Sequence, residues 1–201
     1  ASTPPHLRAT VRRGVPTIGS GAIYPIPVED IVCDPFPIPP YYKKLYGMDV
    51  GHRVTAAVFG ALDPDTDTLY IYDEYVGELK VPEIHAAAIK RNALDWMPGV
   101  IVEYRKLGLR VRPADNSIED GIRKVWSRLE LGKLKLFSNK TAKTQNEYLI
   151  YRRNDKGKIV KEHDHLMDAL RYVVNTLHLA APSPSTVKSN QCASMRNRYN
   201  V

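Results

Sequence analysis

Cysteine and long apolar runs are scarce in this sequence, and their scarcity argues against several classes of protein. The two cysteines, Cys33 and Cys192, form no CxxC pair, which argues against a disulfide framework and against a thiolate zinc site. No run of about 18 apolar residues occurs, as a membrane-spanning helix would require. The N-terminal residues also lack the apolar core of a signal peptide. We therefore expect a cytoplasmic protein that neither spans a membrane nor is secreted.

A phosphate-binding loop is also missing. The chain contains no GxxxxGK[ST] motif, so we expect no ATP hydrolysis by that route. The composition is otherwise that of a folded protein, because 43% hydrophobic and 25% charged residues lie far from the biased mixtures of disordered chains. The net charge of +7 favours a polyanionic partner such as DNA, although the same charge also serves solubility.

Proline and glycine are concentrated near the N-terminus and keep the backbone there extended. We predict an extended linker or arm over residues 1–40, with short edge strands at 22–26 and 31–32. Beyond residue 181 the sequence is polar without periodicity, which predicts a disordered tail over residues 182–201. We predict that residues 41–181, which lie between the arm and the tail, form one folded domain.

Hydrophobic periodicity within this domain predicts strands that alternate with helices. A polar, basic turn over residues 152–158 predicts the tip of a hairpin. Strands are predicted over residues 46–59, 69–76, 100–102, 109–111 and 133–137, and helices over 81–96, 104–107, 118–131, 144–151 and 164–179. This order predicts a mixed α/β fold.

Four side chains that can bind a metal stand out in this scheme. Asp49 lies in the first core strand, and burying an aspartate among apolar residues is costly unless it is paired or binds a cation. Asp164, His165 and Asp168 open the last helix, where i, i+4 spacing puts the two carboxylates on one face. Carboxylate oxygens suit Mg²⁺ and Mn²⁺, and two such ions bracketing a phosphodiester promote its hydrolysis.

Spacing alone leaves a purely structural explanation open. Asp164 would then cap its helix, and Asp168 would pair with Arg171 or Lys161. Asp49 would be a turn residue that precedes a glycine.

Longer motifs in the sequence match a known family. Residues 164–172 read D-H-L-M-D-A-L-R-Y, which resembles the D-H-x-M-D-A-x-R-Y signature that ends the nuclease domain of phage terminase large subunits. Residues 47–51 resemble the G-x-D-x-G element of that family's first catalytic strand, and residues 85–90 resemble the helix after its β-hairpin. The lead-in stretches over residues 19–26 and 34–39 resemble the segment that joins the family's ATPase and nuclease domains.

The resemblance implies an RNase H-like fold, in which a mixed central sheet is flanked by helices in a single domain. Asp49 and Asp168 would be the catalytic carboxylates, and the metal ligands would be Asp49, Asp168, His165 and Asp164. The implied function is a metal-dependent endonuclease that cuts concatemeric double-stranded viral DNA during genome packaging. It would use two-metal-ion hydrolysis with Mg²⁺ or Mn²⁺.

The same resemblance implies the partners of the domain. They would be double-stranded DNA, a terminase ATPase domain that is absent from this chain, the small terminase subunit and the portal protein, in the cytoplasm of an infected bacterium. Expected contacts to DNA phosphates are Lys124, Arg128, Arg152, Arg153, Lys156 and Lys158. Basic side chains of this kind are also common on solvated faces.

Three further acidic residues are weaker candidates. We expect Asp73 and Glu74 to be solvated, because neighbouring residues of a strand point to opposite faces. Glu147 stays unassigned, since a pair with Lys143 would explain it equally well.

Two alternative functions remain open. Another RNase H-like nuclease, of the resolvase or transposase type, would share the acidic cluster and the fold. A non-catalytic basic module that docks on DNA or the portal would fit an incomplete acidic cluster.

One element of the family pattern has no counterpart here. The family carries another essential aspartate just after the strand that corresponds to residues 98–101, whereas residues 102–105 read V-E-Y-R. Either Glu103 substitutes, or the site is incomplete, or a stretch between Ile101 and Val102 is missing from this sequence. We favour the third explanation, because the strand would otherwise run into the next predicted helix almost without a turn.

The missing-stretch hypothesis can be tested by mass. We expect the intact protein to weigh more than the 22.7 kDa of this sequence, as mass spectrometry would show. An intact mass equal to 22.7 kDa would contradict the hypothesis and leave Glu103 or an incomplete site.

Overall fold

A computed structural model describes residues 21–51, 53–92, 99–100, 109, 111–112, 115 and 117–184. The strands are β1 (Val32–Cys33), β2 (Lys43–Val50), β3 (Val54–Asp63), β4 (Thr68–Glu78), β5 (Gly99–Val100), β6 (Val111–Arg112) and β7 (Leu134–Phe137). The helices are α1 (Val28–Ile31), α2 (Pro82–Asn92), α3 (Ile118–Glu130), α4 (Ala142–Ile150) and α5 (His165–Asn175), followed by a 3₁₀ turn (Leu177–Leu179).

The strands form one mixed sheet in the order β1-β7-β4-β3-β2-β5-β6. Its centre is an antiparallel meander of β2, β3 and β4. The single strand predicted over residues 46–59 is wrong, because β2 ends at Val50 and β3 begins at Val54 and pairs back onto it. β5 and β7 join the outer edges of this meander in parallel with β2 and β4, and β6 and β1 extend the sheet further on each side. The predicted mixed α/β architecture is therefore confirmed.

Helices cover both faces of the sheet. On one face α5 packs across β2 and β3 and against α3 and α4, and this face holds the larger apolar core. On the other face α2 packs on β3 and β4, and Ala86 and Ile89 of α2 join the smaller core. No helix of the described residues is both long and apolar enough to cross a membrane.

A β-bulge in β4 changes which side chains face each layer. Phe59 pairs with Asp73 but the next residue, Gly60, pairs with Ile71, so Tyr72 is an extra residue on β4. An extra residue reverses the alternation of all side chains beyond it. Val76 consequently packs against the larger core, on the face that carries α5.

Residues 21–40, the part of the arm that the structure describes, pack onto the domain. Tyr24 is buried and stacks on Tyr148, and the backbone N–H of Ile23 donates to the carbonyl of Tyr151. Residues 28–31 form one helical turn rather than extended chain, because Pro27 precedes the helix and so takes away none of its hydrogen bonds. The predicted strand at 31–32 begins one residue later, at Val32.

The predicted helices that fall on described residues occur with small shifts at their ends. The last helix ends at Asn175, where the chain continues as a 3₁₀ turn instead of an α-helix to residue 179. Residues 1–20 of the arm, the predicted helix over 104–107 and residues 185–201 of the tail lie outside the described residues. The domain boundaries at residues 40 and 181 stay predictions.

The approach of α5 to β2 leaves no room for a side chain at residue 47. A Cβ on Gly47 would lie 2.4 Å from the backbone oxygen of Ala169 and 2.7 Å from Cγ2 of Val173. We expect Gly47→Ala to lower the free energy of unfolding by at least about 2 kcal/mol, because helix backbone must move. Chemical denaturation measures this loss. Gly60→Ala on β3 is the comparison, because its new Cβ would lie nearest to side-chain atoms, first Cδ1 of Leu69 at 3.0 Å, and its loss should be clearly smaller. Equal losses in both variants would contradict the tight approach of the helix backbone to Gly47.

Candidate active site

Strand β2 carries Asp49 to the face that α5 covers. Alternation along the strand places Leu45, Gly47 and Asp49 on this face and Tyr46 and Met48 on the other. Asp49 is paired with Ala56 of β3 and is half-buried near the end of the strand. Burial raises the pKa of Asp49, the hydrogen bond with His165 opposes this, and the charge of Asp168 adds to it. The prediction that Asp49 lies in a core strand is confirmed.

The first turn of α5 brings the other candidates to Asp49. Nδ1 of His165 lies 2.7 Å from Oδ2 of Asp49, across 116 residues of sequence. Asp164 occupies the position before the helix, where its backbone oxygen accepts the N–H of Asp168 at 2.8 Å but its side chain makes no capping hydrogen bond. The four predicted residues therefore belong to one cluster.

Two cations compensate the buried carboxylates of this cluster. Asp164 and Asp168 are only 5% and 8% exposed. Nζ of Lys161 lies 2.8 Å from Oδ2 of Asp164 and 3.0 Å from Oδ2 of Asp168. The buried Arg171 donates from Nη2 to the other oxygen of Asp168 at 2.8 Å. Both ion pairs that the structural explanation predicted for Asp168 are thus formed.

The two cations differ in how firmly they are held. Arg171 is 2% exposed, and its Nη1 also donates to the backbone oxygen of Ser117. The side chain of Lys161 is 56% exposed. Partial burial by itself lowers the pKa of Lys161, but hydrogen bonds and charges of Asp164 and Asp168 outweigh it and raise the pKa above the ordinary value.

Two glutamates outside the four predicted metal ligands, Glu147 and Glu74, hold the start of helices at the site. Glu147 of α4 accepts the backbone N–H groups of Leu166 and Met167, at 2.7 and 3.3 Å, in place of the predicted pair with Lys143. Carboxylates are favourable at a helix N-terminus, where backbone N–H groups lack partners inside the helix. Glu147 therefore orients the turn that carries His165.

Glu74 supports α4 in the same way. Its two carboxylate oxygens accept the backbone N–H groups of Lys143 and Thr144, each at 2.8 Å, and Oε2 also accepts the Thr144 hydroxyl. The expectation that Glu74 is solvated is wrong for this reason. Strict alternation missed the role of Glu74 because the bulge at Tyr72 turns it towards the helices, while Asp73 accepts the N–H of Glu74 itself.

The expected DNA-contacting residues fall into two groups. Lys124 and Arg128 of α3 form ion pairs with Asp120 and Asp67. The others lie on a basic hairpin (residues 152–159), in which Arg153 pairs with Ile159 of the opposite strand. Of the described residues on this hairpin, Arg153 is bound to Glu119, whereas Arg152, Lys156 and Lys158 are exposed on its surface. The hairpin itself is confirmed, and the DNA contacts stay predictions.

The chemistry of the donors fits a hard divalent cation, but their present arrangement does not form a metal site. Within the described part of the chain, no three His, Cys, Asp or Glu side chains are placed to hold one metal ion. One oxygen each of Asp49, Asp164 and Asp168 is held by His165 or Lys161. Glu103 lies outside the described residues.

Comparisons with known proteins identify proteins similar to this chain. Residues 100–177 match the family model of the terminase RNaseH-like domain. The large terminase subunit of Salmonella phage P22 is 29% identical over 199 residues, which cover 86% of this chain and 39% of that protein. The P22 large terminase nuclease domain matches with a TM-score of 0.75 and 26% identity, over 83% of this chain and 97% of that domain.

The predicted resemblance to terminase large-subunit nuclease domains is confirmed. The expected RNase H-like fold, a mixed sheet flanked by helices in one domain, is confirmed with it. At the level of fold alone, the large terminase nuclease domain of bacteriophage SPP1 also matches, with 20% identity and a TM-score of 0.53, over 66% of this chain and 85% of that domain.

The terminase relatives are longer than this chain in two respects. The chain spans about two fifths of the large subunit that it matches, 39% for phage P22. The aligned length of 199 residues also exceeds the 86% of this 201-residue chain that it covers, so the P22 protein has residues with no counterpart here. The stretch missing between Ile101 and Val102 stays a hypothesis.

Titration of Glu147 predicts how the stability of the site depends on pH. Burial raises the pKa of Glu147 to about 7, although the N–H groups of Leu166 and Met167 favour its charged form. Because this pKa exceeds the ordinary value of 4.5, protonated Glu147 stabilises the folded state. This stabilisation is complete below about pH 4.5 and is lost as the pH rises through about 7. We expect the loss to amount to about 1 to 3 kcal/mol.

Melting temperatures of the wild type and of Glu147→Gln between pH 4 and 8 test this expectation. The variant should lose less stability than the wild type across this range, since its amide does not ionise. Glu130→Gln, at an exposed position of α3, is the matched control and should follow the wild type. Parallel curves for all three proteins would show that Glu147 is not the titrating group.

Proposed function

We propose that this domain is the nuclease of a terminase large subunit, and that it cuts concatemeric double-stranded viral DNA during genome packaging by divalent-metal-dependent hydrolysis. The contact between Asp49 of β2 and His165 of α5 carries this proposal, because it brings Asp49 to the turn that also holds Asp164 and Asp168. The terminase RNaseH-like match over residues 100–177 includes Asp164, His165 and Asp168 and supports their assignment.

Asp49 and Asp168 would hold the metal, with His165 and Asp164 as further ligands. Asp49 has a raised pKa, which a bound cation would lower by favouring the carboxylate. When bound, Mg²⁺ or Mn²⁺ supplies charge that polarises the phosphodiester and stabilises the leaving oxygen. The SPP1 nuclease domain was solved with bound Mn, and this supports a metal of that kind here.

The chain's own groups would position the substrate. Arg171 keeps Asp168 in place from the buried side, and His165 fixes the orientation of Asp49. Arg152, Lys156 and Lys158 on the basic hairpin would contact DNA phosphates without reading the base sequence. Lys124, Arg128 and Arg153 would extend these contacts by exchanging their present ion pairs for phosphates.

The rest of the packaging machinery would be supplied by partners. Since the chain spans about two fifths of the P22 large subunit, an ATPase domain would belong to the remaining part of such a protein. The small terminase subunit and the portal protein would complete the assembly in the infected cell.

Cleavage of supercoiled plasmid tests the proposed nuclease. We expect the domain to nick and linearise plasmid with Mn²⁺ or Mg²⁺, and EDTA to abolish this. Asp49→Asn should lower the rate at least about 100-fold, because it removes a ligand charge. Asp65→Asn, which changes an exposed aspartate in the β3–β4 turn, should leave the rate unchanged.

Two other results would each support a different function. Mn²⁺ binding without cleavage in any condition would favour a non-catalytic docking module, which the absence of a three-ligand group in the described residues also favours. A strong preference for branched DNA over plasmid would favour a nuclease of the resolvase type.

A further inference from the structure

Lys161 occupies the position of a cation between two candidate metal ligands. Its ammonium group contacts Oδ2 of both Asp164 and Asp168, at 2.8 and 3.0 Å. These are oxygens that a divalent ion would need. A lysine in this place acts on metal binding in two ways, because it blocks the oxygens and repels a second cation.

Arg171 cannot be displaced in the same manner. It is 2% exposed, and it contacts the opposite oxygen of Asp168, Oδ1, and the backbone of Ser117. Arg171 therefore stays with Asp168 whether or not the lysine is present. Among the residues that the structure describes, Lys161 is the cation that contacts Asp168 from the solvent side, since its side chain is 56% exposed.

Lys161 also follows directly on the basic hairpin. The residue before it, Val160, donates its backbone N–H to the carbonyl of Arg152 on the opposite side of the hairpin. Lys161 is therefore the first residue after the one that closes the hairpin. A DNA backbone that lies on Arg152, Lys156 and Lys158 would bring phosphates near the exposed lysine. The ammonium group is carried on a flexible four-carbon stem, which can exchange a carboxylate for a phosphate without movement of the backbone.

We propose that Lys161 is a resident counter-ion that keeps a divalent cation away from Asp164 and Asp168 until a DNA phosphate draws its ammonium group aside. The inference rests on the proposed nuclease function. It makes metal binding dependent on DNA, and coupling of this kind is reciprocal: DNA strengthens metal binding by the same factor by which metal strengthens DNA binding. The domain would thus load its metal where a strand is present to be cut.

Calorimetric titration with Mn²⁺ in the absence of DNA tests the block. We expect Lys161→Met to bind Mn²⁺ at least about fivefold more tightly than the wild type. Lys161→Arg keeps the charge and should bind more weakly than Lys161→Met. Lys90→Met removes an exposed charge on α2, which packs on the face of the sheet opposite α5, and it should leave Mn²⁺ affinity within about twofold of the wild type.

A second titration, with a short duplex of non-hydrolysable phosphate linkages present, tests the coupling. DNA should tighten Mn²⁺ binding in the wild type and in Lys90→Met, and should do so at least about fivefold less in Lys161→Met. Circular dichroism confirms that each variant is folded, and Lys161→Gln replaces the methionine variant if that one is not.

Equal or weaker Mn²⁺ affinity in a folded Lys161→Met variant would overturn the inference and leave Lys161 as a structural ion pair. The same would follow if DNA had an equal effect on all variants. Failure of the nuclease itself is distinguished by the plasmid assay: a wild type that cleaves while these titrations show no role for Lys161 keeps the function and loses only the counter-ion.

Discussion

The packing of α5 across β2 and β3 is the contact on which the rest of the structure depends. It requires a residue without a side chain at Gly47, because the backbone of Ala169 occupies the space where a Cβ would lie. The same approach buries the apolar face of α5 against the sheet and sets the start of that helix beside the end of β2. Packing that stabilises the domain therefore also brings Asp49 and His165 into contact.

Burying acidic groups at this junction would be costly without nearby positive charge. Arg171 neutralises Asp168 from inside the core, and Lys161 neutralises Asp164 and Asp168 from the solvent side. A second set of carboxylates serves the backbone: Glu74 holds the start of α4, and α4 in turn supplies Glu147 for the start of α5. The site is thus supported from the sheet through two helices.

The basic hairpin lies directly before the acidic cluster along the chain, where it would meet a polyanionic partner. The hairpin closes immediately before Lys161, so the chain passes from exposed cations to buried carboxylates within a few residues. Electrostatic attraction to phosphates and repulsion from the carboxylates would together place a DNA backbone at the edge of the site. The proposed nuclease needs separate basic and acidic surfaces, because its DNA substrate is negatively charged and its metal ion is positively charged.

The sequence by itself determined the alternation of strands and helices, the core position of Asp49 and the grouping of Asp164, His165 and Asp168, because periodicity and local spacing are written directly in the chain. Only the tertiary structure decided the partners of these groups. A single extra residue at Tyr72 turned Glu74 towards α4, and the contact between α4 and α5 assigned Glu147 to the site. Both depend on how distant elements pack, and local patterns do not contain that information.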